Sequence, residues 1–390
     1  MRNSIPQFAK IFLAAILFAC STDRTNHQND LFSWEISTPS VEGVDSLVLE
    51  FIHKEINEGV YGLIDHFLII RNSKIIYDKH YEYDYESLSK KYDTTNFQYN
   101  YDHPAWHPYY NYSDLHTLQS VTKSVTSILV GIAIDEGLIE DVNVPVMPFF
   151  TDYDIDLNDE RRNSITLKNL LTMQAGIKWD EESTHYLSPE NNCNVMELSD
   201  DWIQYVLSLP MENVPGTKFT YNGGASILLG KIISIATGKR IDKWAEEKLF
   251  RPLGITEYYW KKTPLEEIDT EGGLYLTPYD IAKIANLFLY KGKWQGKQIV
   301  SEEWVKESIT PYYIDIEEDF GYGYQWWLRE IINGTAEIIA MSGFGGQHIL
   351  MAPKYNVLVL TMGWNIHESS TPGKSIRHIL KDLIIPAIKK

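Results

Sequence analysis

The sequence predicts an α+β protein in which one sheet draws strands from both chain ends and an all-helical segment lies between them. Strand patterns occur near the start, around residues 67–77, and again near the end, between residues 338 and 362. Helical periodicity fills the middle. The chain has 390 residues and is 44% apolar, so a core of ordinary size forms and a disordered chain is excluded. This length suits one large domain or two to three smaller ones, at roughly 100–200 residues each. No internal repeat of about 20–50 residues is visible.

Taken in order, the N-terminus comes first. Arg2 and Lys10 precede an apolar run from Ile11 to Ala19. It is shorter than the about 20 residues that span a bilayer and matches the apolar region of a secretory signal peptide. Leu17-Phe18-Ala19-Cys20 resembles a bacterial lipobox. The expectation is a lipoprotein signal peptide over residues 1–19, lipidation at Cys20, a polar linker over 20–43 and one folded domain over 44–390. Such a chain sits at the bacterial cell envelope, facing the periplasm or the exterior, and meets the membrane only through its lipid.

Residues 44–58 repeat apolar side chains at helical spacing through Val44, Val48, Ile52 and Ile56. Phe67–Ile70, a turn at Arg71-Asn72-Ser73 and Ile75–Tyr77 read as a β-hairpin. Residues 81–112 form a polar, tyrosine-rich segment without a clear period, read as a loop insertion that walls a cleft or caps the core. From Ser120 to Gly137 the pattern is helical, and residues 166–176, 198–209, 224–237, 241–249 and 277–291 read as further helices. Ile338–Ala340, Gln347–Met351 and Val357–Met362 read as strands, with Pro353–Asn356 as a turn, and residues 372–389 as a closing helix.

Charge narrows the partners. Fifty-three acidic residues against 35 basic ones give −18, and removal of the leader takes away two more positive charges. This argues against nucleic acid, which needs clustered Lys and Arg, and against a basic patch on an anionic bilayer. Oligomeric state is left open. Cys193 lies in the polar stretch Pro189–Asn194 with no basic neighbour in sequence, so a catalytic thiol is not expected. His103 and His107 lack a third ligand, so no metal is expected.

Three local features carry chemistry. Ser120-Val121-Thr122-Lys123 opens a helix, so serine and lysine share one face. A serine hydroxyl needs a base, and lysine serves if burial lowers its pKa. The second Ser-x-x-Lys, Ser87–Lys90, lies in the tyrosine-rich stretch with no apolar helix behind it. Tyr221-Asn222-Gly223-Gly224 stands at a helix entrance, where a phenol faces a cleft or rests half-buried on backbone. Ser342-Gly343-Phe344-Gly345-Gly346 lies between two strands, where glycine permits close backbone approach to a ligand or a tight turn. Trp326 and Trp327 read as core.

In order and spacing these features resemble the serine β-lactamase and penicillin-binding-protein superfamily, in its branch of class C β-lactamase-related esterases, 6-aminohexanoate-dimer hydrolases and D-alanyl-D-alanine carboxypeptidases. The resemblance spans about residues 60–365. It includes Leu118–Ser124, Leu170–Gly176, Pro215–Tyr221, Gly272–Thr277, Tyr322–Trp327 and Gly345–Gln347. It implies an antiparallel sheet flanked by helices, joined to an all-helical subdomain at about 120–265, with the active site between them. It implies Ser120 as nucleophile, Lys123 as general base alone or with Tyr221, and Tyr221 as proton donor to the leaving group. It implies an oxyanion hole from the Ser120 and Phe344 amides, substrate contacts at Ser342, Gly343 and Gly223, and no cofactor.

Two departures stand out. Gly223 replaces the asparagine of the second motif, and Met341 replaces the Lys or His that opens the third. Losing an amide and a cation weakens recognition of an anionic β-lactam, so the expectation is a serine hydrolase of a small ester, amide or peptide through an acyl-enzyme, not an efficient β-lactamase. The alternatives are a peptidoglycan D,D-peptidase or a β-lactamase. In another class, they are an acylated but non-turnover sensor lipoprotein, or a non-catalytic scaffold.

Overall fold

The computed structural model describes residues 34–84, 114–184, 186, 188–315, 320–365 and 373–389, all within the unit Ser33–Lys390. The expected leader, Cys20, most of the expected linker, the tyrosine-rich segment beyond residue 84, and His103 and His107 lie outside the described residues.

Helix α1, Ser46–Asn57, is opened by Asp45, whose side chain accepts the Leu47 amide. A short strand β1 (Glu35–Ile36) precedes it. The predicted hairpin is β2 (Ile64–Arg71) and β3 (Lys74–His80). Its two-residue turn, Asn72-Ser73, has φ of +52° and +62°, the left-handed pair that matches the twist of a tight hairpin.

The middle of the chain is largely helical: α2 (Val121–Asp135), α3 (Leu167–Leu171), α4 (Asn192–Glu197), α5 (Trp202–Ser208), α6 (Gly223–Thr237) and α7 (Ile241–Ala245). The helix expected over 166–176 stops early because Met173 turns to φ +57°. The one expected over 198–209 starts later, at Trp202, since Asp201 caps it through the Gln204 amide, and α4 before it was not expected. The helix over 241–249 keeps an α-helical core only to Ala245 and widens over Glu246–Phe250. Beyond them come α8 (Pro278–Leu289), with proline in its first turn as expected, and α9 (Glu302–Ser308).

Small strands went unread in the sequence. β4 (His116–Thr117), β5 (Tyr259–Trp260) and β6 (Leu274–Leu276) form a three-stranded sheet. β7 (Lys293–Trp294) and β8 (Lys297–Gln298) form a hairpin. β9 (Tyr313–Asp315), β10 (Phe320–Tyr322) and β11 (Trp327–Ile332) extend the main sheet. Then come the three expected strands, β12 (Thr335–Gly343), β13 (Gln347–Ala352) and β14 (Val357–Gly363).

Among the described residues, the main sheet has nine strands in the order β1-β3-β2-β14-β13-β12-β11-β10-β9. Chain start and chain end therefore meet at β2 and β14. Its pairings are antiparallel apart from β1 with β3. One face is covered by α1 and the closing helical turns Ile379–Ala387, which bury Leu49, Ile52, Ile379 and Ile384 against Phe67, Ile69, Leu350 and Val359. The other face meets α8 at β13 and β14, and α2 at β12. β11 begins at Trp327 opposite Ala340, so Met341–Gly343 pair only with β13 among the described residues. That leaves an open stretch of β12 beside the start of α2. Among the described residues, no helix is long and apolar enough to cross a membrane.

Candidate active site

Ser120 sits at the turn into α2 and does not cap it: its side chain makes no bond to the helix amides. The hydroxyl instead receives a hydrogen bond from Lys123 Nζ at 3.1 Å. Gln119, just before it, is held at φ +49°, a conformation rare for a residue with a side chain. The surroundings fix that turn. Leu118 N donates to Leu274 O, Leu274 N donates to the Thr122 hydroxyl, and Gln119 Nε2 donates to the Thr117 hydroxyl. The three-stranded sheet thus presents Ser120.

Lys123 is 1% exposed. Its Nζ donates to Glu271 O at 2.9 Å and to Glu271 Oε2 at 3.0 Å. Burial alone would lower its pKa, but the Tyr221 oxygen, Glu271 and Glu181 outweigh it and hold the ammonium well above its ordinary range. Because Tyr221 is a neutral phenol at pH 7, the Glu271 carboxylate is the charge that matters there. The sequence expectation of a lysine made neutral by burial is therefore corrected: the partner carboxylate reverses the shift.

Tyr221 stands at the entrance of α6 and is 6% exposed. Its ring stacks on Trp327 at 5.5 Å, with Lys123 Nζ 5.2 Å from its centroid, and its oxygen is hydrogen-bonded with Ser120. Burial pushes its pKa up to about 12. Asn222 points away to cap α6 through the Ala225 amide. The two tryptophans read as core divide: Trp326 is fully buried against Phe288, whereas Trp327 supports Tyr221.

Gly223 N donates to Glu181 Oε2 at 2.7 Å. A Cβ on Gly223 would lie 2.6 Å from Glu271 Oε2 and 3.2 Å from Glu181 Oε2. Two carboxylates thus occupy the room a side chain at 223 would need. Burial pushes Glu181 up to about 7, even though Lys123 and donors from Gly223 and Trp179 favour its charge. Glu271 Oε1 also receives the Cys193 thiol at 3.4 Å. Cys193 is therefore not on an exposed polar loop: it lies buried in α4, within the electrostatic reach of Lys123. Behind it, Lys261 lies 3.1 Å from Asp269 and 3.5 Å from Glu197, and burial keeps Glu197 well above the usual carboxylate range.

The third feature lies on β12. Gly343 passes so close to Ser120 that a Cβ there would lie 2.4 Å from Leu118 O and 3.1 Å from Ser120 N. The amide of Phe344 follows directly, and the Phe344 ring packs against Tyr186 at 5.5 Å. Met341 is fully buried. By alternation Ser342 faces the opposite side of the strand, where its hydroxyl lies 3.3 Å from His348 Nδ1. Gln325 ties the pieces together. Its carbonyl accepts the Ser124 hydroxyl, its Oε1 accepts the Ser226 hydroxyl, and its Nε2 donates to Leu170 O. Glu181, Glu271 and Gln325 escaped the sequence reading. Glu271 and Gln325 adjoin or lie in the quoted motif blocks, yet no spacing rule marks them.

The Beta-lactamase family model matches residues 58–372. The chain belongs to that family. A 6-aminohexanoate-dimer hydrolase of Paenarthrobacter ureafaciens is 24% identical over 296 residues, 68% of each chain. A lovastatin esterase of Penicillium rubens is 26% identical over 176 residues, 40% of this chain and 42% of that one. Among solved structures, an octameric penicillin-binding protein homologue from Pyrococcus abyssi superposes with a TM-score of 0.61 at 21% identity, covering 86% of this chain and 75% of that one. The family and these relatives make the chain a hydrolase of the serine β-lactamase superfamily. The beta-lactamase-family frame also shows where this member departs: carboxylates fill the space at Gly223, and an apolar Met341 opens the third motif.

Proposed function

We propose that this hydrolase cleaves a small ester or amide through an acyl-enzyme on Ser120 and is not an efficient β-lactamase. The observation that carries the reading is the convergence of Lys123 Nζ and the Tyr221 oxygen on the Ser120 hydroxyl.

Lys123 is charged at rest, so it acts as a base only by handing a proton on. As Ser120 Oγ bonds the acyl carbon, its proton passes to Lys123, and Lys123 passes one to Glu271 Oε2, 3.0 Å away. The new oxyanion sits between the Ser120 and Phe344 amides. Tyr221, a neutral phenol, gives its proton to the leaving group and recovers one through Lys123. Water then attacks the acyl-enzyme by the reverse route, with Tyr221 as its base.

Substrate class follows from charge. No cation stands at Met341, and Glu181 and Glu271 lie beneath the cleft, so neutral or cationic substrates are favoured over carboxylate-bearing ones. The printed activities of the relatives, a 6-aminohexanoate-dimer hydrolase and an esterase, support ester or amide cleavage. The test is kcat/KM across p-nitrophenyl esters, D-amino amides and a cephalosporin reporter. Esters are expected to exceed the cephalosporin by more than about tenfold, roughly 1.4 kcal/mol of transition-state discrimination. Parity between them would overturn the reading.

The mature enzyme is placed at the bacterial cell envelope on a lipid at Cys20, supported by the basic start, short apolar run and Leu-Phe-Ala-Cys. Cells fed an alkyne fatty acid are expected to label the wild type and not Cys20→Ser. Equal labelling of both would remove the anchor.

A further inference from the structure

We infer that His66, Asp78 and His80 form a binding site for one borderline divalent transition-metal ion, with Zn2+ as the reference case. The inference is independent of the chemistry at Ser120.

The hairpin creates the arrangement. His66 on β2 is the direct cross-strand partner of His80 on β3, and Asp78 precedes His80 by two residues. Alternation therefore sends all three side chains out of one face. The two imidazoles lie 3.9 Å apart between centroids, and His66 Nε2 is 2.9 Å from Asp78 Oδ1. The candidate ligand atoms all lie within 4.8 Å of one another, so small rotations bring them to the roughly 2.0–2.2 Å bonds of a zinc site.

A second observation points to a ligand. The His66 side chain is 3% exposed, and its Nδ1 has no hydrogen-bond partner among the described residues. A buried imidazole with one nitrogen unsatisfied is costly unless something else occupies the site. His66 and His80 line a cavity of about 340 Å³ together with Asp65, Asp114, His116 and Tyr279. The two carboxylates in that lining, Asp65 and Asp114, give the cavity a negative field.

The ligand chemistry selects the metal. Two imidazoles with one carboxylate suit Zn2+ or its neighbours, whereas Mg2+ and Ca2+ take oxygen donors. Tyr279 donates to Asp78 Oδ2 at 2.7 Å and so orients Oδ1 toward the histidines, the kind of outer contact that fixes a ligating carboxylate.

The test is calorimetric titration of chelator-stripped full chain with Zn2+, alongside Co2+ absorption spectra. One ion per chain is expected, with a rise in Tm. His80→Ala and Asp78→Asn, both at partly exposed side chains, are expected to weaken binding more than Tyr279→Phe does, the latter by about tenfold. A chain carrying His103→Ala and His107→Ala is expected to bind as the wild type does. Ester hydrolysis by His80→Ala is expected to be unchanged. The proposal is overturned if no Zn2+ binds, if binding survives both His80→Ala and Asp78→Asn, or if it is lost with His103 and His107.

Discussion

At Gly223 a missing side chain has been exchanged for charge. Its absent Cβ leaves the space in which Glu271 Oε2 reaches Lys123. Three variants follow from that geometry. Gly223→Asn drives a side chain into Glu271. Glu271→Ala removes the partner that holds the Lys123 proton. The double variant puts an amide where the carboxylate was. Each single change is expected to lower kcat/KM for an ester at least about tenfold. The double is expected to be better than the product of the two by a coupling of about 1–3 kcal/mol. Strict additivity would separate Gly223 from Glu271.

Glu181 belongs to the same scale and predicts a pH profile. Its ordinary value is 4.5 and burial raises it to about 7. The unfolded chain releases this proton near 4.5, while the folded chain keeps it to about 7. Folding therefore binds a proton in that window, and the stability tied to Glu181 declines as pH rises through it. Activity runs the other way. An ionised Glu181 stabilises the proton arriving at Lys123, so acylation is expected to climb with pH through about 7. Both trends are expected to flatten in Glu181→Gln, read by stopped-flow acylation and by chemical denaturation at pH 5 and pH 8. An unchanged inflection would assign the titration elsewhere.

At the scale of elements, packing overrides propensity. Gly131 lies inside α2, where alanine would ordinarily be worth about 1 kcal/mol. A Cβ there would meet the Trp304 ring of α9 at 2.4 Å. Gly131→Ala is therefore expected to destabilise by roughly 1–3 kcal/mol, the usual cost of overpacking, seen as a lower Tm. A stabilised variant would show that α9 yields at no cost. The same contest explains which elements were legible in the sequence. α1, α8 and the β2–β3 hairpin carry their own periodicity, caps and turn residues, so they were read from local pattern. β9 to β11 do not: β9 and β10 are three residues each and β11 carries Arg329 and Glu330 in its middle, so their strand form comes from the neighbour they pair with. β4 and β5 are two residues each and exist only as partners of β6.

Across the whole molecule, the sheet built from both chain ends and the helical middle were legible because each half announces its own period. The convergence of Ser120, Lys123 and Tyr221 was anticipated from motif order. The state of Lys123 was not, because it depends on Glu271, 148 residues away in sequence. Cys193 was misread for the same reason: its neighbours in sequence are polar, and its neighbours in space are Glu271 and the protein interior. Ser342 shares a motif with Gly343 but not a face, which motif reading alone does not separate. In the sequence the charge of −18 only excludes partners. In the fold, part of it gathers around Lys123, where it holds the ammonium charged.

The central claim is that Ser120 carries the acyl group during turnover. The most direct measurement is rapid acid quench with a p-nitrophenyl ester, followed by intact-mass and peptide analysis of wild type and Ser120→Ala. The account predicts a p-nitrophenol burst matching one acyl adduct per chain on the Ser120 peptide, and neither burst nor adduct in Ser120→Ala. Turnover in Ser120→Ala at the wild-type rate, or an adduct on any other residue, would contradict it.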